Sequence, residues 1–375
     1  MELFNQEVSI FPTSYSEILQ RIRYIDPIRY GTTRNYINGA VSYLSPYISR
    51  GVVSTKFIFT EIINRGYPPE KIEKFIQELA WRDYWQQIWN SKGDAINQDL
   101  KHQQYPVSNH SISTVINKGN TGIHAIDTAI KKFYKTGYIH NHLRMYIASI
   151  TCNIGQSHWK IPAKWMYYHL LDADWASNAL SWQWVAGTNA NKKYFVNQDN
   201  INKYCFTNQK KTFLDVSYEE ISRIETPEIL KETSLIKLKT PLPKQQVIDF
   251  KKQAPTLVYN FYNIDPNWKK DIVANRILLL EPSIFSKYPI SQKTIEFVLA
   301  ISKENIANIQ VFVGEFHELQ NKYHHQKIIF KEHPLNYNYE GIQEARDWMF
   351  DVKGYHSSFF SFWKQCKKEI VLLIK

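Results

Sequence analysis

The sequence predicts a mainly α-helical domain followed by a smaller α/β domain with a short parallel sheet. Three observations carry this prediction. Apolar residues recur at helical spacing through residues 1–220. Residues 221–255 are rich in Lys, Thr, Pro and Gln, which is typical of a linker. Residues 256–375 alternate short apolar runs with helical stretches, the pattern of strands and crossover helices.

Helices are predicted in order along the first domain. Residues 54–63 have helical spacing that stops at Gly66, and Pro68 and Pro69 open a long helix through Asn90. On this helix Trp81, Trp85 and Trp89 share one face. Three more helices are expected, one capped by Thr121 and ending near Gly137, one over about 140–153, and one from Pro162 to near Asp172.

The α/β domain is predicted from four apolar runs that are typical of buried strands, at residues 256–261, 276–280, 309–313 and 327–330. A helical stretch at 291–302 lies between the second and third runs. No glycine-rich phosphate loop follows any of these strands, so the sequence contains no dinucleotide-binding fingerprint.

Composition narrows the function classes. The chain has 375 residues, a formal net charge of +11 and 11 Trp, 24 Tyr and 20 Phe, which suits either a nucleic-acid partner or a generally basic protein. Residues 101–211 carry 13 Lys and Arg against 4 Asp and Glu. The aromatic residues could serve as core, as base-stacking surface or as an electron relay.

The three cysteines, Cys152, Cys205 and Cys366, form no CxxC pair, which predicts neither a disulfide framework nor a zinc or iron–sulfur site. The first twenty residues contain no signal-peptide pattern, and no run of about 18 apolar residues could span a membrane. A cytoplasmic location is therefore expected, without membrane or metal partners.

Residues 172–184 are the most informative stretch. They place two carboxylates, three indoles and amide side chains close together in DADWASNALSWQW. A plain core helix has no need of the polar groups, and a solvated loop would not keep the tryptophans. The mixture suits a pocket for a large, flat ligand that forms hydrogen bonds.

Three further clusters each have two interpretations. Hydroxyls and amides in residues 30–47 could cradle phosphate or simply cap a helix. Glu78 and Arg82, four residues apart, could address one ligand or form a surface ion pair. His140 and His142 could suggest a metal, but no third ligand stands at a suitable interval, so no metal site is predicted.

Taken together the four clusters resemble, in order and spacing, the FAD-binding helical domain of the photolyase/cryptochrome superfamily. The resemblance covers residues 10–205. ELAWRDYW resembles the family's ELxWREFY, and TGIHAIDTAIKKFYKTGYIHNHLRM resembles TGxxxxDAxxxxLxxTGWMHNRLRM. DADWASNALSWQWVAGT is similar to DxDxAxNxxxWQWxAG.

The resemblance implies FAD as the cofactor and assigns roles position by position. Arg144 would pair with Asp172 beside the flavin ring, and Asn178 would lie near flavin N5. The implied cofactor-binding residues are Tyr30, Ser42, Leu44, Ser45, Glu78, Arg82, Asn141, Arg144, Asp172, Asp174 and Asn178.

In photolyases an excited, reduced flavin gives one electron to a pyrimidine dimer flipped out of the DNA. The implied catalytic residues here are Glu78, Asn178, Trp182 and Trp159. The last two would belong to a tryptophan relay. Its third position has no tryptophan, and Tyr105, Trp165 and Trp175 are the candidates to complete it. The implied substrate-binding residues are Trp81, Asn141, His142, Met145 and Trp184.

Departures from the family pattern affect DNA contact more than FAD binding. His142 and Tyr43 stand where the family has arginine, and Tyr138 stands where it has tryptophan. The family's α/β antenna domain precedes the helical domain, whereas the α/β segment of this chain follows it. A rearranged antenna domain is one hypothesis for residues 256–375.

The sequence therefore favours light-driven repair of pyrimidine dimers in damaged duplex or single-stranded DNA. The alternative is a blue-light photoreceptor without repair activity, whose flavin chemistry switches binding to a protein partner. A third hypothesis is a helical nucleic-acid-binding protein that has lost flavin, and a colourless purified protein would support it.

Overall fold

The computed structural model describes residues 10–323 and 327–373. Helices dominate up to residue 205, as the apolar spacing predicts. In chain order they are α1 Tyr15–Arg23, α2 Pro27–Thr33, α3 Ser45–Ser49, α4 Thr55–Ile63, α5 Pro69–Lys92, α6 Thr114–Lys118, α7 His124–Thr136, α8 Asn141–Ser149, α9 Lys160–His169, α10 Trp175–Ala186 and α11 Gln198–Cys205.

Helix α5 is the long helix that the sequence predicts. It begins at Pro69, whose fixed φ suits the first helical position, and ends where Gly93 adopts a φ of 52°. Trp85 and Trp89 are buried and Trp81 is half-buried. The helix lies between α2 and α10, so its two sides contact the two parts of the chain that carry the predicted cofactor residues.

Several observed helix ends differ by a few residues from the predicted ones. Thr121 does not cap α7 directly. Its hydroxyl donates to Asp127 at 2.7 Å and accepts from the N–H of Ile123, the residue just before the helix. The helix predicted over 140–153 continues past α8 as a π-helix, Ile150–Ile154, and α9 ends at His169.

The predicted linker is partly ordered. It contains the short helix α12 Glu228–Lys231 and the strand β2 Thr233–Ser234, which pairs antiparallel with β1 Ile112–Ser113. The hydroxyl of Ser234 donates to that of Thr114 at 2.9 Å. Residues 235–255 have no regular secondary structure, and their later part contacts the α/β unit, where the N–H of Asp249 donates to Oε1 of Gln310 at 2.7 Å.

The sheet predicted beyond residue 255 is present and parallel. Across the sheet its strands lie in the order β5-β4-β3-β6-β7. Every residue of β3 and β4 is buried. The elements are β3 Thr256–Tyr259, β4 Asn275–Leu280, α13 Pro282–Lys287, α14 Gln292–Asn305, β5 Ile309–Val313, α15 Phe316–Lys322, β6 Ile328–Lys331 and β7 Ile342–Glu344. A doubly wound α/β unit therefore follows the helical region, and its origin as a rearranged antenna domain stays a hypothesis.

Two parts of this region have no counterpart in the sequence prediction. Strand β7 is a short, largely exposed edge strand with two polar residues, so it lacks an apolar run. Helix α16, Phe359–Leu373, returns to the helical region, where Phe359 packs against Trp81 of α5. Among the described residues, no helix is long and apolar enough to cross a membrane.

One hydrophobic core joins the helical region to the sheet. Trp89 of α5 contacts the rings of Tyr262 and Tyr288, at centroid distances of 5.8 and 5.9 Å. Gly51 follows α3 with a φ of 65°, and a Cβ placed there would lie 2.6 Å from the carbonyl oxygen of Tyr262. The division into domains 1–220 and 256–375 stays a prediction, since both segments contribute to the same buried cluster.

Candidate functional site

A cavity of about 610 Å³ lies among α2, α5, α8, α9 and α10, and we call it the helical cavity. Its volume is within the ordinary range of cofactor and ligand pockets. It is lined by every predicted site residue except Trp159, namely Tyr30, Ser42, Leu44, Ser45, Glu78, Trp81, Arg82, Asn141, His142, Arg144, Met145, Asp172, Asp174, Asn178, Trp182 and Trp184. Their individual roles stay predictions.

Arg144 and Asp172 form an ion pair in the helical cavity, with Nη2 3.0 Å from Oδ2. Nε of Arg144 also donates to the carbonyl of Ile139 at 2.9 Å, which fixes the guanidinium at the start of α8. Burial raises the pKa of Asp172, but the nearby guanidinium groups of Arg144 and Arg82 outweigh it and leave that pKa below its ordinary value. Asp172 is therefore an ionised carboxylate at neutral pH.

Asp174 serves as both helix cap and cavity wall. Its Oδ1 accepts from the N–H of Ser177 at 3.0 Å, which caps α10. Its Oδ2 lies 3.3 Å from Nη1 of Arg82, and both oxygens accept from the amide of Gln86, at 2.9 and 3.1 Å. Every one of these partners is a donor, as a buried carboxylate requires.

The pairing considered for Glu78 and Arg82 is wrong. Glu78 pairs instead with Arg34 at 3.3 Å and with Lys74 at 3.2 Å. Arg82 turns to Asp174 and also donates to the carbonyl of Ser45 at 3.1 Å. Glu78 therefore faces Lys74 one turn before it on α5 and Arg34 at the end of α2, whereas Arg82 faces Asp174 at the start of α10.

The residues predicted for the phosphate side of the cofactor come from the first 45 residues. The ring of Tyr30 is edge-on to Phe75 at 5.1 Å, and burial raises the pKa of its hydroxyl, which stays protonated. Leu44 is buried, and Ser42 and Ser45 are half-buried. Tyr30, Ser42 and Ser45 therefore supply hydroxyl groups to this side of the cavity without adding negative charge.

The predicted substrate-binding residues differ in accessibility. Trp81 stacks on Phe359 with a centroid distance of 3.7 Å and an interplanar angle of 8°, so one face of its indole is covered by this chain. Trp184 is tilted at 34° to Tyr194 at 5.7 Å. Asn141 is exposed, while Met145 and His142 are half-buried.

His142 is held by its neighbours in the helical cavity. Its Nδ1 lies 2.8 Å from the carbonyl oxygen of Asn35, and its ring contacts Tyr146 and Tyr204 at 4.5 and 4.6 Å. Burial lowers the pKa of His142, so the imidazole is neutral at neutral pH. A neutral ring cannot supply the positive charge of the arginine that the family has at this position.

The predicted relay residues are buried to different depths. Trp182 lines the helical cavity and is buried, and Asn178 beside it donates to the carbonyl of Ala163 at 2.8 Å. Trp159 is also buried, lies outside the cavity lining, and its Nε1 donates to Asp99 at 2.7 Å. Tyr105 is exposed.

Trp165 and Trp175 are the other two candidates for completing the relay. Both are fully buried, with Nε1 donating to Tyr134 and Asn97, respectively. Of the three candidates, Tyr105 is therefore the one exposed to solvent. The last member of an electron relay has to be exposed in this way to accept electrons from outside the protein.

Among the lining and supporting residues that sequence reasoning missed, three contact a predicted carboxylate. Arg34 lines the helical cavity and pairs with Glu78, although it stands in the first cluster. Ser177 also lines the cavity and stands inside the 172–184 stretch. Gln86 lies one turn beyond Arg82 on α5, and this i+4 spacing was the available signal.

The lining fits a large cofactor that forms hydrogen bonds. Oδ1 of Asp172 and Oγ of Ser177 are buried and have no hydrogen-bond partner within residues 10–323 and 327–373. Such groups are costly to bury unsatisfied, and both line the helical cavity, where a ligand can satisfy them. In the same ranges, no group of three His, Cys, Asp or Glu side chains could hold a metal ion.

Comparison with known proteins gives the same assignment. Residues 75–254 match the model of the FAD binding domain of DNA photolyase. The chain is 32% identical over 155 residues to the deoxyribodipyrimidine photo-lyase of Alkalihalophilus pseudofirmus, covering 40% of this chain and 32% of that protein. It is 27% identical over 226 residues to that of Buchnera aphidicola, covering 53% of this chain and 47% of that protein. The chain thus spans about a third to a half of these curated relatives.

Among solved structures, a cryptochrome from Synechocystis superposes with a TM-score of 0.48 and 23% identity, over 54% of this chain and 46% of that chain. The helical cavity and the family match define a flavoprotein whose cofactor is FAD. The match over residues 75–254 supports membership of the photolyase/cryptochrome superfamily.

Proposed function

We propose that the protein is a deoxyribodipyrimidine photolyase-like enzyme, a carbon–carbon lyase that repairs pyrimidine dimers in DNA with FAD and light. One observation carries the proposal. Side chains that suit a flipped dimer, among them Glu78, Trp81 and Trp184, line the same cavity as the carboxylates Asp172 and Asp174. Cofactor and substrate could therefore meet in one cavity, as electron transfer between them requires.

When bound, FAD supplies light-driven one-electron chemistry: an electron passes to the dimer, the two carbon–carbon bonds of the cyclobutane ring break, and the electron returns. The protein binds and orients both molecules. Asp172, kept ionised by Arg144, and Asp174 would accept hydrogen bonds from the cofactor. Asn178 would lie beside the flavin ring, and Trp182 and Trp159 would conduct electrons to the cofactor during its reduction.

On the substrate side, Trp81 and Trp184 would pack against the flipped bases. Glu78, Asn141 and Met145 would contact the dimer, and neutral His142 would contribute a polar edge without charge. Damaged DNA is the proposed partner because residues 101–211 carry 13 Lys and Arg against 4 Asp and Glu. Binding through phosphate contacts should weaken as salt concentration rises.

A repair assay tests this function. We expect reduced protein under blue light to restore the thymine absorbance of dimer-containing single-stranded DNA, with no gain in the dark. Trp184→Ala should keep FAD and lose most of the repair, because a base-stacking contact contributes about 1–3 kcal/mol. Phe206→Ala, an exposed aromatic outside the cavity lining, is the matched control and should repair normally. Wild-type protein that binds FAD but gives no light-dependent gain would refute the proposal.

The second candidate function is a blue-light photoreceptor without repair activity. The stack of Phe359 on Trp81 favours it, because an indole face covered by the C-terminal helix cannot stack on a base. Under this alternative, illumination would reduce the bound FAD and change the exposure of α16. Protection of α16 against hydrogen exchange would then differ between dark and illuminated protein, while dimers stay intact.

A further inference from the structure

The α/β unit contacts the turn that carries the two cavity carboxylates. The hydroxyl of Tyr262, in the loop after β3, lies 3.3 Å from the backbone N–H of Trp175, from which it accepts. Arg50 packs over the ring of Phe261 at 3.4 Å and donates to the carbonyl of Ala173 at 2.6 Å. The α/β unit therefore contacts the backbone after Asp174 directly through Tyr262, and it packs against the Arg50 side chain that holds the backbone before Asp174.

A chain of hydrogen bonds also reaches the Asp174 side chain. Nη1 of Arg346, in the segment after β7, donates to Oε1 of Gln86 at 2.7 Å. The amide nitrogen of Gln86 donates to both carboxylate oxygens of Asp174, at 2.9 and 3.1 Å. Arg346 and Asp174 do not touch in this chain of contacts, so any effect of one on the other passes through Gln86.

Arg346 is itself held in one position. Its Nε and Nη2 donate to the two oxygens of Glu332 at 2.9 and 3.2 Å, and Nη2 also donates to Asn90 at 2.9 Å. Its guanidinium lies over the ring of Trp348 at 4.4 Å. An arginine fixed in this way is a rigid donor toward Gln86.

The orientation of the Gln86 amide is the feature through which Arg346 can act on Asp174. A side-chain amide can turn over and exchange its oxygen and nitrogen, and its bonding partners decide which orientation it keeps. Here a cation faces the oxygen and a carboxylate faces the nitrogen. Without the cation, the amide can turn its oxygen toward Asp174, which would remove a donor from a carboxylate that is 5% exposed.

Asp174 stands where this orientation matters. It lines the helical cavity and also a second cavity of about 270 Å³, which is bounded by Arg346, Glu332 and the loop after β3. The carboxylate therefore lies between the cofactor side of the molecule and the carboxyl edge of the parallel sheet. Its position depends on donors from both.

We propose that Arg346 is a positioning residue for the FAD-site carboxylate Asp174, acting through the side-chain amide of Gln86. The proposal rests on the proposed contact of Asp174 with FAD and is independent of repair activity. By this route the α/β unit contributes to the geometry of a cofactor site that the helical region alone encloses.

The test measures FAD affinity of purified apoprotein by quenching of FAD fluorescence. Arg346→Met keeps the length and apolar stem but removes the donor, and should weaken FAD binding about tenfold, the effect of one hydrogen bond to a charged group. Arg346→Lys can still donate once and should recover part of the loss. Lys353→Met removes an exposed cation of the same segment that pairs with Asp351 rather than with Gln86, so this control should bind FAD like the wild type.

A double-mutant cycle separates positioning from general destabilisation. If Arg346 acts through Gln86, Gln86→Leu should weaken binding by a similar factor, and the double variant Gln86→Leu with Arg346→Met should be no weaker than Gln86→Leu alone. Losses that multiply in the double variant would overturn the proposal. So would wild-type affinity in Arg346→Met, or an equal loss in Lys353→Met.

Gln86→Glu provides a second route if the Arg346 variants fail to fold. The introduced carboxyl group can face Arg346 but repels Asp174 when ionised, so FAD affinity should recover as pH falls and that group is protonated. A pH profile parallel to that of the wild type would overturn the proposal. Failure of the dimer-repair assay with FAD still bound would refute the proposed function and leave this test intact.

Discussion

Asp83 lies next to Arg82 on α5 but does not line the helical cavity. It is buried and accepts from the hydroxyl of Thr55 at 2.8 Å and from the N–H of Met349 at 2.9 Å. Burial raises its pKa to about 6, against the lowering effect of these hydrogen bonds. This carboxylate ties α4 and the C-terminal segment to α5 and titrates well above an ordinary aspartate.

This raised pKa predicts a pH-dependent stability. Between about pH 4 and about pH 6 the folded state binds more protons than the unfolded state, so the free energy of unfolding falls as pH rises. The shift corresponds to about 3 kcal/mol, fully present below the unfolded pKa and lost as pH passes the folded pKa. In Asp83→Asn this slope should be absent, as urea unfolding across the range can measure. Parallel pH profiles for wild type and variant would contradict the assignment.

The residues that line the helical cavity were predictable where the local sequence carries the information. Asp172, Asp174, Asn178 and Trp182 stand in one short block whose polar-aromatic mixture marks a pocket. Gln86 and Arg346 were not predicted, because their importance comes from bonds between residues about 260 positions apart. No local pattern in the sequence encodes such a pair.

At the scale of elements, the turn after α3 fixes how the helical region meets the sheet. Gly51 and Gly66 both have a φ near 70°. A residue with a side chain adopts this backbone conformation at a cost of roughly 1–2 kcal/mol. A Cβ at Gly51 would also collide with the carbonyl of Tyr262, whereas one at Gly66 meets nothing within 4 Å. The two glycines therefore separate the conformational effect from the contact.

We expect Gly66→Ala to lower the free energy of unfolding by roughly 1–2 kcal/mol. Gly51→Ala should lower it by an additional 1–3 kcal/mol or so, since overpacking forces the junction apart. Urea unfolding of both variants measures the difference. Equal losses in the two variants would mean that the loop containing Tyr262 moves away freely and that the junction is not tightly packed.

Element types were predicted well where apolar periodicity is strong and poorly where it is weak. The buried strands β3 and β4 are continuous apolar runs, and α14 has clear helical spacing. Strand β7 is short and polar, and what makes it a strand is its pairing with β6. The π-helix after α8 is fixed by burial of every one of its residues, which periodicity does not register.

At the scale of the whole molecule, one buried cluster runs from the first helices to the sheet. It includes Tyr47 and Trp89 from the helical region and Tyr259 and Phe261 from the α/β unit. A second, smaller cluster that includes Val258 and Phe330 lies on the sheet. Because the larger core is shared, neither region keeps a complete apolar core without the other.

We therefore expect apoprotein to unfold in a single cooperative transition. Helix content followed by circular dichroism and tryptophan fluorescence should give the same midpoint in urea, since most tryptophans lie in the helical region. Two separated transitions would contradict this expectation. They would instead support independent folding of the predicted domains 1–220 and 256–375.

The sequence by itself determined the superfamily, the FAD cofactor and the order of helical and α/β regions, because these depend on local blocks and on periodicity. Only the tertiary structure decided how the parts act together: that Glu78 and Arg82 have separate partners, that Phe359 covers Trp81, and that Arg346 reaches Asp174 through Gln86. Side-chain direction in a packed interior follows the nearest donor, acceptor or ring, and those neighbours come from distant segments. The chain encodes them only through the fold as a whole.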